Sequence, residues 1–509
     1  MSCLLNAILW LPLVGSLIVT ILPGEKKTSI KWVSLVTTFI VFILTLVLYA
    51  NFDANNPSLQ NQFYIHAKWI IDYNIFYTMG VDGISLPMVI LNGLLFFICV
   101  LSSWNTVKDK TKAYFALMLL LQTSIFGVFF SLDFFLFYIF WEVMLIPMFF
   151  LIAIWGGDDR ERAAVKFIIY TFLGSILMLV GIIALYYVSG KGVDSFNIIA
   201  LQGGKFSYET LTLFGKAYSF EKIFFWIIFL GFAIKVPMFP FHTWLPHAHV
   251  QAPTAVSVIL AGVLLKMGAY GFLRISFPIF PEAAREYSNI IALLGLISIL
   301  HGAFCALAQT DVKKLIAYSS ISHMGFVMLG LASLTIQGVN GAVMQMFNHG
   351  TSTAMMFLLV GILYERSHHR YIVKPDGSRG FSGLALHMPN YTVLFLIGMF
   401  ASIGLPGMSG FVSEFLIFLG AFKPFSLYTI LSAIGLLFGA AYLLWMYKRM
   451  FFGEVSAEVK TYPDVSKLEI GYMIPLCILV IILGFYPTPL TKIMKSSVGN
   501  FVQQMAEKK

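Results

Sequence analysis

Fourteen stretches of about 20 almost wholly apolar residues run through the 509-residue chain, at 3–22, 30–51, 83–102, 112–131, 133–155, 163–188, 223–241, 252–276, 287–309, 315–335, 338–364, 390–420, 427–447 and 468–490. A helix of that length crosses a hydrocarbon layer of about 30 Å, and in lipid a helix satisfies every one of its own backbone hydrogen bonds. The sequence therefore predicts an all-α polytopic membrane protein with about 14 transmembrane helices. Only 11% of residues are charged, against about 25% in soluble domains. The first stretch has no basic segment before it and no small-residue cleavage site, so it is expected to stay as a helix rather than act as a signal peptide.

The net charge of +9 does not point to nucleic acid, because the 33 lysines and arginines form no basic face with interleaved aromatics. They mark topology instead. Nineteen fall in connections on the face of Lys26 and Lys27, twelve on the opposite face, including Lys191, Lys205, Arg274, Lys508 and Lys509, and Lys235 and Lys266 lie in the membrane. The positive-inside bias makes the richer face cytoplasmic and puts both termini outside. Cys3, Cys99, Cys305 and Cys477 stand singly, with no thiolate metal spacing. His242, His247 and His249 resemble a metal cluster but have no nearby carboxylate or thiolate, so metal binding is not expected. No dinucleotide fingerprint, Walker motif or haem-attachment motif is present.

The longest connections, at 52–82 and 189–222, are too short to build a core, so function has to be intramembrane. Glu142, Lys235, Lys266 and Glu414 are the ionisable residues that draw attention. Each would cost about 2.5–3.5 kcal/mol at the bilayer centre, on the order of 12 kcal/mol together. Lys235 precedes Pro237 and Pro240 in the seventh span, and Glu414 follows Gly404, Pro406, Gly407 and Gly410 in the twelfth. Both helices are expected to be broken. Five spans separate them, an odd number that reverses direction, which suggests two inverted five-helix repeats, spans 4–8 and 9–13. The expected division is 1–111, three N-terminal helices; 112–276, the first unit; 287–452, the second unit; and 453–509, the last helix and tail.

Glu142 lies near the middle of its span and needs a partner or a proton; Lys235 is the expected ion-pair partner. Pro237 should free a carbonyl on the previous turn to accept from the Lys235 ammonium. Lys266 sits at similar depth among small residues that permit close helix approach. His323 and His349 lie within spans between the two halves, and each can pass a proton near neutral pH. Together these six residues suggest a proton relay ending at Glu414.

WEVMLIPMFFLIAIWGG, KVPMFPFHTWLPHAHVQAPTAVSVILAGVLLKMGAYG, DVKKLIAYSSISHMGFV and LPGMSGFVSEF closely resemble the antiporter-like membrane subunits of respiratory complex I, the proton-translocating NADH-quinone oxidoreductase. The resemblance covers the chain after about residue 80. Glutamate at position 414, where paralogues commonly have lysine, and the absence of a long lateral-helix extension favour the M-type branch of that family. The resemblance implies a coupled pair at Glu142 and Lys235, a central relay at Lys266, connecting histidines at His323 and His349, and an outlet at Glu414. It also implies no cofactor on this chain, with NADH, FMN, iron-sulfur clusters and quinone in partner subunits. Those partners would be L-type and N-type antiporter-like paralogues and small membrane subunits in a bacterial cytoplasmic membrane. One departure is visible: the family usually has aspartate where this chain has His247. Two other functions fit the same residues: a D-type subunit of a multisubunit cation/proton antiporter, and a passive scaffold that would tolerate neutral replacements at Glu142 and Lys266.

Overall fold

The computed structural model describes residues 2–56, 62–190, 192, 194–203, 206, 209–213 and 216–507. Lys191, Lys205, Lys508 and Lys509, used above for topology, lie outside the described residues. Among the described residues twelve helices are long and apolar enough to cross a membrane. Two further segments are divided, as Pro and Gly dictate. The seventh runs as Phe220–Lys235 and Trp244–Gln251, the twelfth as Pro389–Ile403 and Ser409–Phe422.

The break after Lys235 accounts for its backbone groups. Pro237 cannot donate to the Ala233 carbonyl, which accepts instead from the Met238 amide at 2.9 Å. The Ile234 carbonyl accepts from the Trp244 indole N–H at 2.9 Å, and the Phe239 amide donates to Ser298 Oγ at 3.0 Å. The carbonyls freed by proline are thus taken by an amide and an indole, and not by Lys235. In the twelfth segment Gly404 and Gly407 have φ of +75° and +91°, values that favour glycine.

Burial sorts the helices. The apolar windows of Thr254–Ile279 and Ile336–Ser367 are 100% buried and that of Val312–Ala332 is 94% buried, against 28% for Ser426–Phe451 and 33% for Lys467–Phe485. Three helices therefore form the centre, and they carry Lys266, His323 and His349. Thr254–Ile279 is not uniform: two π-turns, Leu260–Leu264 and Phe272–Ser276, flank Lys266. Such turns recur at functional sites because they rotate the side chains that follow.

Several details depart from the sequence reading. The long connections hold small antiparallel hairpins, Tyr64–Ile70 with Ile75–Gly80 and Thr210–Leu213 with Lys216–Ser219. Phe134–Trp155 is bent at Met144, because Pro147 has no N–H for the Val143 carbonyl and its ring crowds that turn. Arg274, counted above as a loop cation, is buried and paired with Asp82 at 2.6 Å. The tail is a helix, Thr488–Ala506, that buries Leu490, Ile493, Met494, Val498, Phe501 and Met505.

Candidate functional site

Lys266 and His349 meet where two central helices touch through glycine. A Cβ on Gly350 would come 2.9 Å from the Gly262 carbonyl oxygen, so only bare backbone permits this approach. That contact brings Lys266 Nζ within 2.6 Å of His349 Nδ1. The ammonium also donates to the Ala261 carbonyl in the first π-turn. Both side chains are buried.

The second cluster surrounds Glu414. Its Oε1 lies 3.3 Å from His323 Nδ1 and accepts from Gln345 Nε2 at 3.2 Å. Gln345 Nε2 also lies 3.3 Å from His323 Nδ1, and Ser413 Oγ donates to Gln345 Oε1, which turns the amide N–H group toward the other two. Asn348 donates to the Ser409 carbonyl at 2.7 Å and to Ser413 Oγ at 3.1 Å. Gly404 makes room: a Cβ there would stand 2.5 Å from Glu414 Oε2. The arrangement offers His323 two states. A protonated Nδ1 donates to Glu414, while an unprotonated Nδ1 accepts from Gln345.

The His323 and His349 rings, with centroids 5.3 Å apart, connect the clusters. Lys266, His349, His323 and Glu414 thus form one buried file. Gln345, the neutral side chain that completes it, was not picked out in the sequence. Its signal was present, because Gln345, Asn348 and His349 fall at i, i+3 and i+4 on an otherwise apolar helix.

Lys235 stands apart from that file and from Glu142. Its Nζ approaches Met144 Sδ at 3.5 Å and lies 5.5 Å from the ring centres of Trp141 and Phe167. Among the described residues no carboxylate forms an ion pair with it within 4.0 Å, so the expected Glu142–Lys235 contact is not made. The reason is helical phase. Trp141 and Met144, three apart, share the face toward Lys235, whereas Glu142 is rotated about 100° from Trp141. Glu142 is half-buried, one helical turn from Tyr138, and its Oε1 is buried with no hydrogen-bond partner among the described residues.

His247 and His249 lie on the short helix Trp244–Gln251, with His247 exposed and His249 fully buried. His249 stacks on Phe357 at 4.7 Å and feels the charges of Lys313 and Lys266. Lys313, buried rather than in a loop, donates to the Ala252 carbonyl at 2.5 Å. Above it a cleft of about 130 Å³ opens between Trp155, Gln251, Lys313, Tyr364 and Arg370. His242 lies 3.1 Å from His301, nitrogen to nitrogen. Among the described residues no group of three or more His, Cys, Asp and Glu is arranged to hold a metal ion.

The fold is that of a polytopic membrane subunit with two divided helices and a buried Lys/His/Glu file at its centre. Residues 131–424 match the family described as NADH:quinone oxidoreductase/Mrp antiporter, transmembrane. The chain is 41% identical over 512 residues to NADH-quinone oxidoreductase subunit M of Rhodobacter capsulatus, covering 99% of this chain and 97% of that one. It is 40% identical to NADH-ubiquinone oxidoreductase chain 4 of Marchantia polymorpha, covering 98% and 97%. Among solved structures, a chain of respiratory complex I from Thermus thermophilus superposes with a TM-score of 0.86 at 28% identity over 99% of this chain and 100% of its own. A chain of the Mrp complex from Dietzia sp. shares the fold, with a TM-score of 0.82 at 19% identity over the full length of both. The chain belongs to the NADH:quinone oxidoreductase/Mrp antiporter family. It is an integral, multi-pass, proton-translocating membrane subunit.

Proposed function

We propose that the chain is the M-type membrane-arm subunit of a proton-translocating NADH-quinone oxidoreductase, and that protons move along Lys266, His349, His323 and Glu414. The observation that carries this reading is the buried file itself, with its 2.6 Å and 3.3 Å contacts. Glu142 and Lys235 act as the control element. Quinone reduction in partner subunits sends an electrostatic change along the arm, and the half-buried Glu142 receives it. Because no contact within ion-pair distance holds Lys235, a change at Glu142 alters its proton affinity through space, which in a low-dielectric interior is an effect of several kcal/mol. Lys266 then exchanges a proton with His349 Nδ1, and His323 delivers it from Nδ1 to Glu414.

Spans 4–8 and 9–13 are taken as inverted units, each supplying one broken helix and one charge. The partners are L-type and N-type paralogues and small membrane subunits, with NADH, FMN, iron-sulfur clusters and quinone held elsewhere in the complex. The membrane is the bacterial cytoplasmic membrane, with both termini outside. Identity to subunit M over the whole chain favours this reading over a D-type cation/proton antiporter subunit. Co-purification with flavin and iron-sulfur subunits supports it, and sodium-dependent exchange without them refutes it.

The decisive variant is Lys266→Arg in the assembled complex. Arginine keeps the cation but does not release its proton, so NADH-driven pumping should fall while assembly persists. Pumping at full stoichiometry would remove Lys266 from the path.

A further inference from the structure

The helix Ser426–Phe451 ends in a cleft of about 470 Å³ lined by Arg379, Trp445, Lys448 and Arg449. The Arg449 guanidinium stacks 4.5 Å above the Trp445 ring. Cations in a last turn offset the helix dipole, which accounts for Lys448 and Arg449 being there. It does not account for Arg379, which a separate loop brings to the same cleft. Gly453 beside it has φ +101°, a backbone conformation that favours glycine, and lets the Arg379 guanidinium lie close against the chain there. Among the described residues these three side chains make no ion pair, although Glu454 is nearby in sequence.

A second observation concerns the same helix. Ile430, Ile434, Leu437, Ala441 and Leu444 recur at helical spacing on one exposed stripe, and Lys448 is the next residue along it. From Ile434 to Leu444 the stripe rises about 15 Å, one leaflet of a hydrocarbon layer about 30 Å thick. An acyl-length apolar track therefore ends at an interfacial tryptophan and three cations that make no ion pair among the described residues. We propose that this cleft binds the phosphate of an anionic phospholipid, with its acyl chains lying along the stripe. The charges recognise phosphate, and the track below them selects a lipid over a soluble anion.

The test uses the native complex in phosphatidylcholine nanodiscs doped with a photoactivatable phosphatidylglycerol. Labelling should concentrate on peptides containing Arg379 and residues 445–453, and unlabelled phosphatidylglycerol should compete it away. Arg379→Gln or Lys448→Gln should each lower labelling about fivefold, the value of one interfacial cation, whereas Lys448→Arg should preserve it. Equal labelling by photoactivatable phosphatidylcholine would show only an annular lipid and overturn the proposal. Competition by millimolar inorganic phosphate would reassign the cleft to a soluble anion. A peptide unlabelled in the complex would mean that a protein neighbour covers it, which also overturns the proposal.

Discussion

Lys235 and Glu414 each stand beside a break in a membrane helix, but Lys235 meets a thioether and two aromatic rings, whereas Glu414 meets a histidine, an amide and the bare backbone of Gly404. A weak sulfur acceptor and ring quadrupoles give an ammonium little geometric restraint. The hydrogen-bonded network of Gln345, Ser413 and Asn348 fixes Glu414 in both distance and direction. A charge held softly answers a distant field, and a charge held tightly sets where a proton is delivered. The second half is also braced at its membrane face, where Arg366 bonds both oxygens of Glu469 at 2.8 and 3.0 Å.

The largest effect that can break this contrast is on transport. Glu414→Gln keeps an acceptor for Gln345 but removes the proton-carrying group. NADH-driven proton translocation through this subunit should fall by about a hundredfold, the low end of what a positioned proton-transfer group supplies. Measurement in reconstituted vesicles checks it, and undiminished pumping would demote Glu414 to a structural acid.

Stability should separate the two ends next. Glu414→Leu removes the shared acceptor of Gln345 and protonated His323, leaving those two side chains only each other in a buried site, at about 1–3 kcal/mol for the unsatisfied N–H. Lys235→Met strands only a thioether, so thermal unfolding of the assembled complex should be unchanged or slightly delayed. Equal destabilisation by the two variants would mean that Lys235 is held as firmly as Glu414.

What was legible in the sequence follows the same division. Proline and glycine located both breaks, because they act through their own backbone. The Glu142–Lys235 contact was misjudged because facing depends on helical phase and on the bend that Pro147 imposes, neither of which depth alone supplies. The burial of His249 was not legible, because an eight-residue helix with two histidines and a proline has too few turns to show an apolar periodicity. Gln345 escaped a search for ionisable groups, although it stands between His323 and Glu414 and bonds to both. The helix Thr488–Ala506 was read as a tail despite apolar residues every three or four positions. Its mixed polarity hid it from a search tuned to membrane spans.

Bracing at the face is expected to matter less than the buried network. Arg366→Gln removes charge-assisted bonds to a mostly buried Glu469 and should cost about 1.5–3 kcal/mol. Pumping per assembled complex should stay intact. A loss of pumping without loss of stability would extend the relay to the membrane face and blur the contrast.

The smallest effect lies in the adjoining loops, where His369 Nε2 meets Glu458 Oε1 at 3.1 Å and Lys374 meets Glu458 Oε2 at 3.2 Å. Burial pulls the His369 imidazole below its ordinary value of 6.5, against the opposing pull of Glu458. Burial pushes Glu458 up, but bonds from Tyr462 and Lys374 and the charge of His369 outweigh it and hold the carboxyl below 4.5. Both folded values are depressed, so both groups stabilise the loops fully above their unfolded values, and the contribution is lost as pH falls through each folded value. His369 acts first, starting below pH 6.5. Hydrogen exchange of residues 369–382, corrected for intrinsic rates, should show modestly lower protection at about pH 5.5 than at about pH 7.5. His369→Gln should flatten that dependence. Greater protection in acid would reverse the sign and show that the Glu458 charge, and not burial, governs His369. The second half would then tighten rather than loosen as protons accumulate at its face.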